Sequence, residues 1–243
     1  MPTSSADRVV LCVFDGLRPD LITPERTPNL ARFAAGGTWF RESRSVFPSM
    51  TRVATAAIAT GAPPRVHGVV GNAFLLAGAA EHALDLGRGD DIALAERATG
   101  GRLVDTATFA DALARVGKRL AVVHTGSAGS IHIINPRARQ NGHWTFAALG
   151  RDASPTPAAV DEVIARFGAL PPRRLPRFEE VDYAERVFRE HVLAHLKPDV
   201  ALIWFNEPDT SFHYRFLGSP ETLSATSLAS GEPLMMRRLS GKK

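Results

Sequence analysis

The sequence holds one cysteine, Cys12, in 243 residues, so no intramolecular disulfide can staple it. A reducing, cytoplasmic compartment is the expectation that follows, with Cys12 as a buried core thiol. No apolar run approaches the roughly 20 residues of a membrane span, and the polar opening from Met1 to Arg8 has no secretory pattern. Internal repeats and low-complexity tracts are missing too. Charge of one sign is scarcer than the formal +4 suggests. Arg237, Arg238, Lys242 and Lys243 follow Pro233 with no acid among them, and they account for the whole excess. The basic balance therefore belongs to the tail. Neither a nucleic-acid polymer nor a membrane surface is an expected partner.

What is present suits a globular α/β chain. Hydrophobic residues make up 44%, enough for one large domain or two small ones. Val9 to Phe14 is an unbroken apolar run that ends on Asp15-Gly16, the pattern of a buried strand in a parallel sheet. Val200 to Phe205 repeats it. Between them, strand and helix signals alternate, which predicts a mostly parallel sheet flanked by helices. Thr27-Pro28 reads as a helix start closed by Gly36-Gly37. Thr51 to Thr60, ending at Gly61, predicts a second helix, and Phe109 to Val116 a third. Arg119 to His124 reads as a strand and Val181 to Leu196 as a helix, while Thr38 to Val46 is a candidate extended segment. From about Asn135 to Phe178 the periodicity fails among Pro155, Pro157, Pro171, Pro172 and Pro176, which predicts an insertion or cap over residues 135–178.

The chemistry-bearing residues cluster after the two apolar runs. Open α/β sheets gather ligands at the carboxyl ends of their strands, where Asp15 lies. Asp209 and His213, four apart after the second run, can share a helix face or chelate one ion. Thr51 stands at a helix start, where a hydroxyl either caps the helix or is activated as a nucleophile. Asn72, beside a glycine, reads first as a turn residue, His67 before Gly68 as a turn or packing residue, and His124, His132 and His143 as structural histidines.

In order, Asp15-Gly16-Leu17-Arg18-Pro19-Asp20, Thr27-Pro28-Asn29-Leu30, Pro48-Ser49-Met50-Thr51, Thr60-Gly61, His67-Gly68, Gly71-Asn72 and Asn206-Glu207-Pro208-Asp209-Thr210-Ser211-Phe212-His213 resemble the alkaline phosphatase superfamily. The resemblance is to its type I phosphodiesterase/nucleotide pyrophosphatase branch and runs from Arg8 to about Leu223. It implies a metal-dependent hydrolase of phosphodiester or pyrophosphate bonds acting on a small nucleotide-type substrate. Thr51 would be the nucleophile, passing through a phosphothreonine. Two divalent ions, zinc by family, would be held by Asp15 and Thr51 on one side and by Asp209 and His213 on the other. Two such ions about 4 Å apart neutralise the attacking and leaving oxygens. Asn72, Arg52 and Thr55 are the candidate contacts to substrate, because Ala54 stands where many relatives carry a phosphate-binding Asn.

One departure weighs against turnover. The family completes its metal sites with a later Asp-His pair and a further His, yet no Asp or His follows His213. Two protein ligands per ion fall below the three expected of a catalytic zinc. The expected layout is thus an alkaline-phosphatase-like α/β domain over residues 1–223, incomplete at its C-terminal side, with an atypical basic tail over residues 224–243. The alternative is an inactive, truncated remnant that binds metal or phosphate weakly. A sulfatase is disfavoured by the lack of a matching Cys or Ser nucleophile, and a haloacid-dehalogenase-type site by Gly16-Leu17 after Asp15.

Overall fold

Parallel pairing of the two apolar runs organises the chain. The computed structural model describes residues 8–220, 222 and 223. In chain order the elements are β1 (Val9–Phe14), α1 (Pro28–Ala35), α2 (Thr51–Thr60), α3 (Pro64–His67), β2 (Ala73–Phe74), β3 (Leu84–Asp85), α4 (Gly89–Ala98), α5 (Phe109–Arg115) and β4 (Leu120–His124). Then come α6 (Ala128–Ile134), β5 (Trp144–Ala147), α7 (Pro157–Phe167), α8 (Phe178–Val187), a π-helical continuation over Phe188–Leu196, β6 (Val200–Phe205) and α9 (Asp209–Tyr214). The chain divides into two compact units. The first comprises Met1–Ser43, Val122–Thr125 and Phe167–Lys243; the second comprises Arg44–Ala121 and Gly126–Arg166.

In the first unit β6 lies between β1 and β4. The β1–β6 register runs from Val9 opposite Val200 to Phe14 opposite Phe205, so both strands end level. All six residues of β6 are buried, whereas β1, of similar composition, has none fully buried. Position decides this: β6 has a neighbour on each side, and β1 ends the sheet among the described residues. The expectation of a buried central first strand is corrected on that ground. Cys12 is accordingly half-buried, although its surroundings still push the thiol up to about 12 by desolvation.

The second unit is built on the apolar cluster of Val53, Ala56, Val69, Leu84, Leu86, Ile92, Ala95, Leu103, Val104 and Ile133. Ala-rich α2 supplies one wall and stops at Gly61 in the left-handed conformation. At α5, Thr108 and Asp111 form a reciprocal capping box, and Asp111 also accepts from Arg137 Nε at 2.8 Å and Asn141 Nδ2 at 2.9 Å. Burial raises the Asp111 carboxyl, but these donors outweigh it and hold the group well below the usual carboxylate range.

One expectation about local structure changes: no strand forms over 38–46, where the chain is irregular. The stretch 135–178 carries β5 and the eleven-residue α7, with Pro157 as the first helical residue. The basic tail over 224–243 lies outside the described residues.

Candidate functional site

In the first unit the level ends of β1 and β6 bring two acids together. Asp15 N donates to Phe205 O at 2.9 Å, and Asp209 N donates to Asp15 O at 3.0 Å. Gly16, at φ +71°, makes this approach possible: a Cβ there would lie 2.9 Å from both Cα and Cβ of Asp209. Trp204 Nε1 donates to Asp15 Oδ2 at 3.4 Å, and the Trp204 ring stacks on His124 at 5.2 Å with planes 8° apart. Complete burial pushes His124 down to about 3, so this imidazole is neutral at physiological pH. On α9 the i,i+4 pair closes as the spacing predicts, with His213 Nε2 3.5 Å from Asp209 Oδ2.

Behind these side chains lies a buried polar net. Thr125 Oγ1 donates to Asn206 Oδ1 at 2.6 Å, and Asn206 Nδ2 donates to Thr210 Oγ1 at 2.8 Å. Glu207 is wholly buried; its Oε1 accepts from Arg177 N at 3.0 Å and its Oε2 from Ser211 N at 3.1 Å. The donor types suit a divalent cation, but the count does not. Among the described residues no three His, Cys, Asp or Glu side chains converge on one point. Asp209 and His213 form a pair, one short of the three ligands a catalytic zinc takes. These residues therefore do not fit a complete two-metal centre.

In the second unit Thr51 occupies the first helical position of α2, and Met50 holds the cap position without a side-chain cap bond. The cap is supplied from elsewhere: Asn72 Oδ1 accepts from Arg52 N at 3.1 Å. Asn72 is itself held, because Leu86 N donates to its carbonyl at 2.9 Å. Asn72 is thus more than a turn residue, and Thr51 is not the cap. Thr55 is buried inside the helix with its Oγ1 donating to Thr51 O at 2.6 Å. That bond spends the Thr55 hydroxyl proton on the backbone. The Arg52 guanidinium and the Asp85 carboxylate both crowd Gly87, where an added Cβ would be 2.8 Å from Arg52 Nη2 and 3.0 Å from Asp85 Oδ1. Replacing Asn72 by alanine removes the cap acceptor and should cost about 1 kcal/mol, read as a fall in urea midpoint at unchanged slope.

Several partnerships carry no local signal. His132 does find an acid, Glu96 Oε1 at 2.5 Å, but thirty-six residues away. His67 is buried and its Nδ1 accepts from Val69 N at 3.2 Å, the packing role expected of it. Glu207 and Trp204 stand within or beside the sequence motifs, but no local pattern gives either a task.

The description "Type I phosphodiesterase / nucleotide pyrophosphatase" matches residues 9–229, and the chain belongs to that family. Its fold is similar to that of murine ectonucleotide pyrophosphatase/phosphodiesterase 5, solved as an inactive threonine-to-alanine variant in complex with AMP. The TM-score is 0.59 at 16% identity, over 97% of this chain and 53% of that one. The chain thus spans about half the length of that relative. No helix among the described residues is long and apolar enough to cross a membrane.

Proposed function

We propose that this chain acts on nucleotide-type phosphodiester or pyrophosphate bonds, with Thr51 Oγ1 as the attacking atom. One observation carries the reading: Thr51 begins α2 while Asn72 does the capping, which leaves the threonine hydroxyl without that duty. In the step, Oγ1 bonds to phosphorus as its proton passes to water. The bond to the leaving oxygen breaks, that oxygen takes up a proton, and water later cleaves the phosphothreonine. The Asn72 side-chain amide, anchored beside α2, is the donor offered to a phosphate oxygen in place of the Asn that Ala54 replaces. Asp15, Asp209 and His213 are the groups offered to divalent ions, zinc by family. That the related murine protein is inactive as a threonine-to-alanine variant, and holds AMP, supports both nucleophile and substrate class.

A second reading, binding without turnover, is favoured by the lack of a three-donor cluster among the described residues. One experiment separates the two. Hydrolysis of bis(p-nitrophenyl) phosphate with added zinc is measured beside calorimetric titration with AMP, wild type against Thr51→Ala. The first reading expects turnover that falls on the order of 10³-fold or more in the variant. AMP binding with no turnover in either protein establishes the second reading. Equal turnover in the two proteins removes Thr51 from the chemistry.

A further inference from the structure

We infer that Glu207 is a positioning residue: a buried carboxylate that ties the start of α9 to the start of α8 and so fixes Asp209 and His213. The inference rests on the proposed function only for what that pair is used for. Helix α9 has six residues, too short to be stable on its own, and its cap position is Pro208, which makes no side-chain cap bond. Glu207 takes over that task from the preceding position, its Oε2 accepting from Ser211 N in the first turn. The other oxygen accepts from Arg177 N, the residue that caps α8. One carboxylate thus satisfies an orphan amide at each of two helix starts. Hydrogen bonds to a charged acceptor are the stronger kind, and the carboxylate that accepts both is itself fully buried. Asp209 follows two residues later with its own amide on Asp15 O, so rotation of α9 about β6 would break a bond at either end. The Asp209–His213 spacing of 3.5 Å is then a consequence of three backbone anchors rather than of the pair's own attraction.

Two variants test this. Glu207→Gln keeps shape and one acceptor but turns an amide NH₂ toward one of the two N–H groups; Glu207→Ala removes both acceptors. Amide hydrogen exchange is followed at Ser211 and Arg177, with the β6 amides of Ala201 to Trp204 as the internal control. Zinc affinity of the folded proteins is measured by competition with a chromogenic chelator. Positioning expects exchange at Ser211 or Arg177 to rise about tenfold in the glutamine variant and more in the alanine variant, with β6 unchanged. Zinc affinity should fall 10-fold or more, in the range seen when groups that orient ligands are lost. Unchanged exchange at both amides, or acceleration of β6 in step with them, overturns the inference. A wild type that takes up no zinc counts against the proposed function alone, because the exchange measurement still decides the positioning.

Discussion

Gly129→Ala is expected to destabilise the second unit severely. A Cβ built on Gly129 falls 1.6 Å from Leu86 O and 2.8 Å from the Leu86 carbonyl carbon. Those are backbone atoms, so no side-chain rotation relieves the overlap. Leu86 is completely buried within the apolar cluster, and its amide is fixed on Asn72 O. Relief must come from moving α6 away from that segment, which opens the core around Leu84, Leu86 and Ile133. Overpacking of this kind costs 1–3 kcal/mol and sometimes more; with backbone on one side, about 3 kcal/mol is the estimate. For a chain of this size that is a fall of roughly 10 °C in melting temperature by calorimetry. Gly89→Ala is the control, since a Cβ there meets nothing within 4 Å and a helix gains from the exchange. Equal melting temperatures for the two variants would show that α6 does not pack on Leu86 this closely.

The same contact shows what the sequence reveals and what it hides. The runs Val9–Phe14 and Val200–Phe205 could be delimited to the residue, because an unbroken apolar stretch stopped by a polar residue is a local pattern. Helix α2 was equally legible from its alanines and the closing Gly61. Burial was not: β1 and β6 read alike, and only the neighbours each strand has in the sheet separate them. Helix α7 was missed because Pro155 and Pro157 read as breakers, although a proline at the first helical position starts a helix without cost. Helix α6 contains Gly129 and several isoleucines, a poor local case for a helix; Ser127 caps its start, and only a glycine admits the close approach of Leu86. Within the site, Asp209 and His213 were legible as an i,i+4 pair. Asn72 as the cap of α2 and Glu207 as a tie between α8 and α9 were not, since their partners lie 20 and 30 residues away. Side chains that bond backbone across such distances leave no periodic trace.

Gly16→Ala should be the most damaging single change in the first unit. Two costs combine. At φ +71° a Cβ-bearing residue is strained by about 1–2 kcal/mol. Beyond that, the added carbon would stand 2.9 Å from Cα and Cβ of Asp209, so β1's end and α9's start must separate. Separation lengthens the 3.0 Å bond from Asp209 N to Asp15 O, a main-chain link between the two acids. Together the terms amount to about 3 kcal/mol, or a fall of roughly 10 °C in melting temperature. Gly16→Asn divides the total, because asparagine tolerates a left-handed backbone while keeping the crowding carbon. If crowding matters, Gly16→Asn recovers only the strain and its Asp209 amide exchanges as fast as in Gly16→Ala. An asparagine variant that melts with the wild type and keeps Asp209 protected would mean that Asp15 and Asp209 do not depend on this close approach. The acids at the strand ends would then owe their meeting to the β1–β6 register alone.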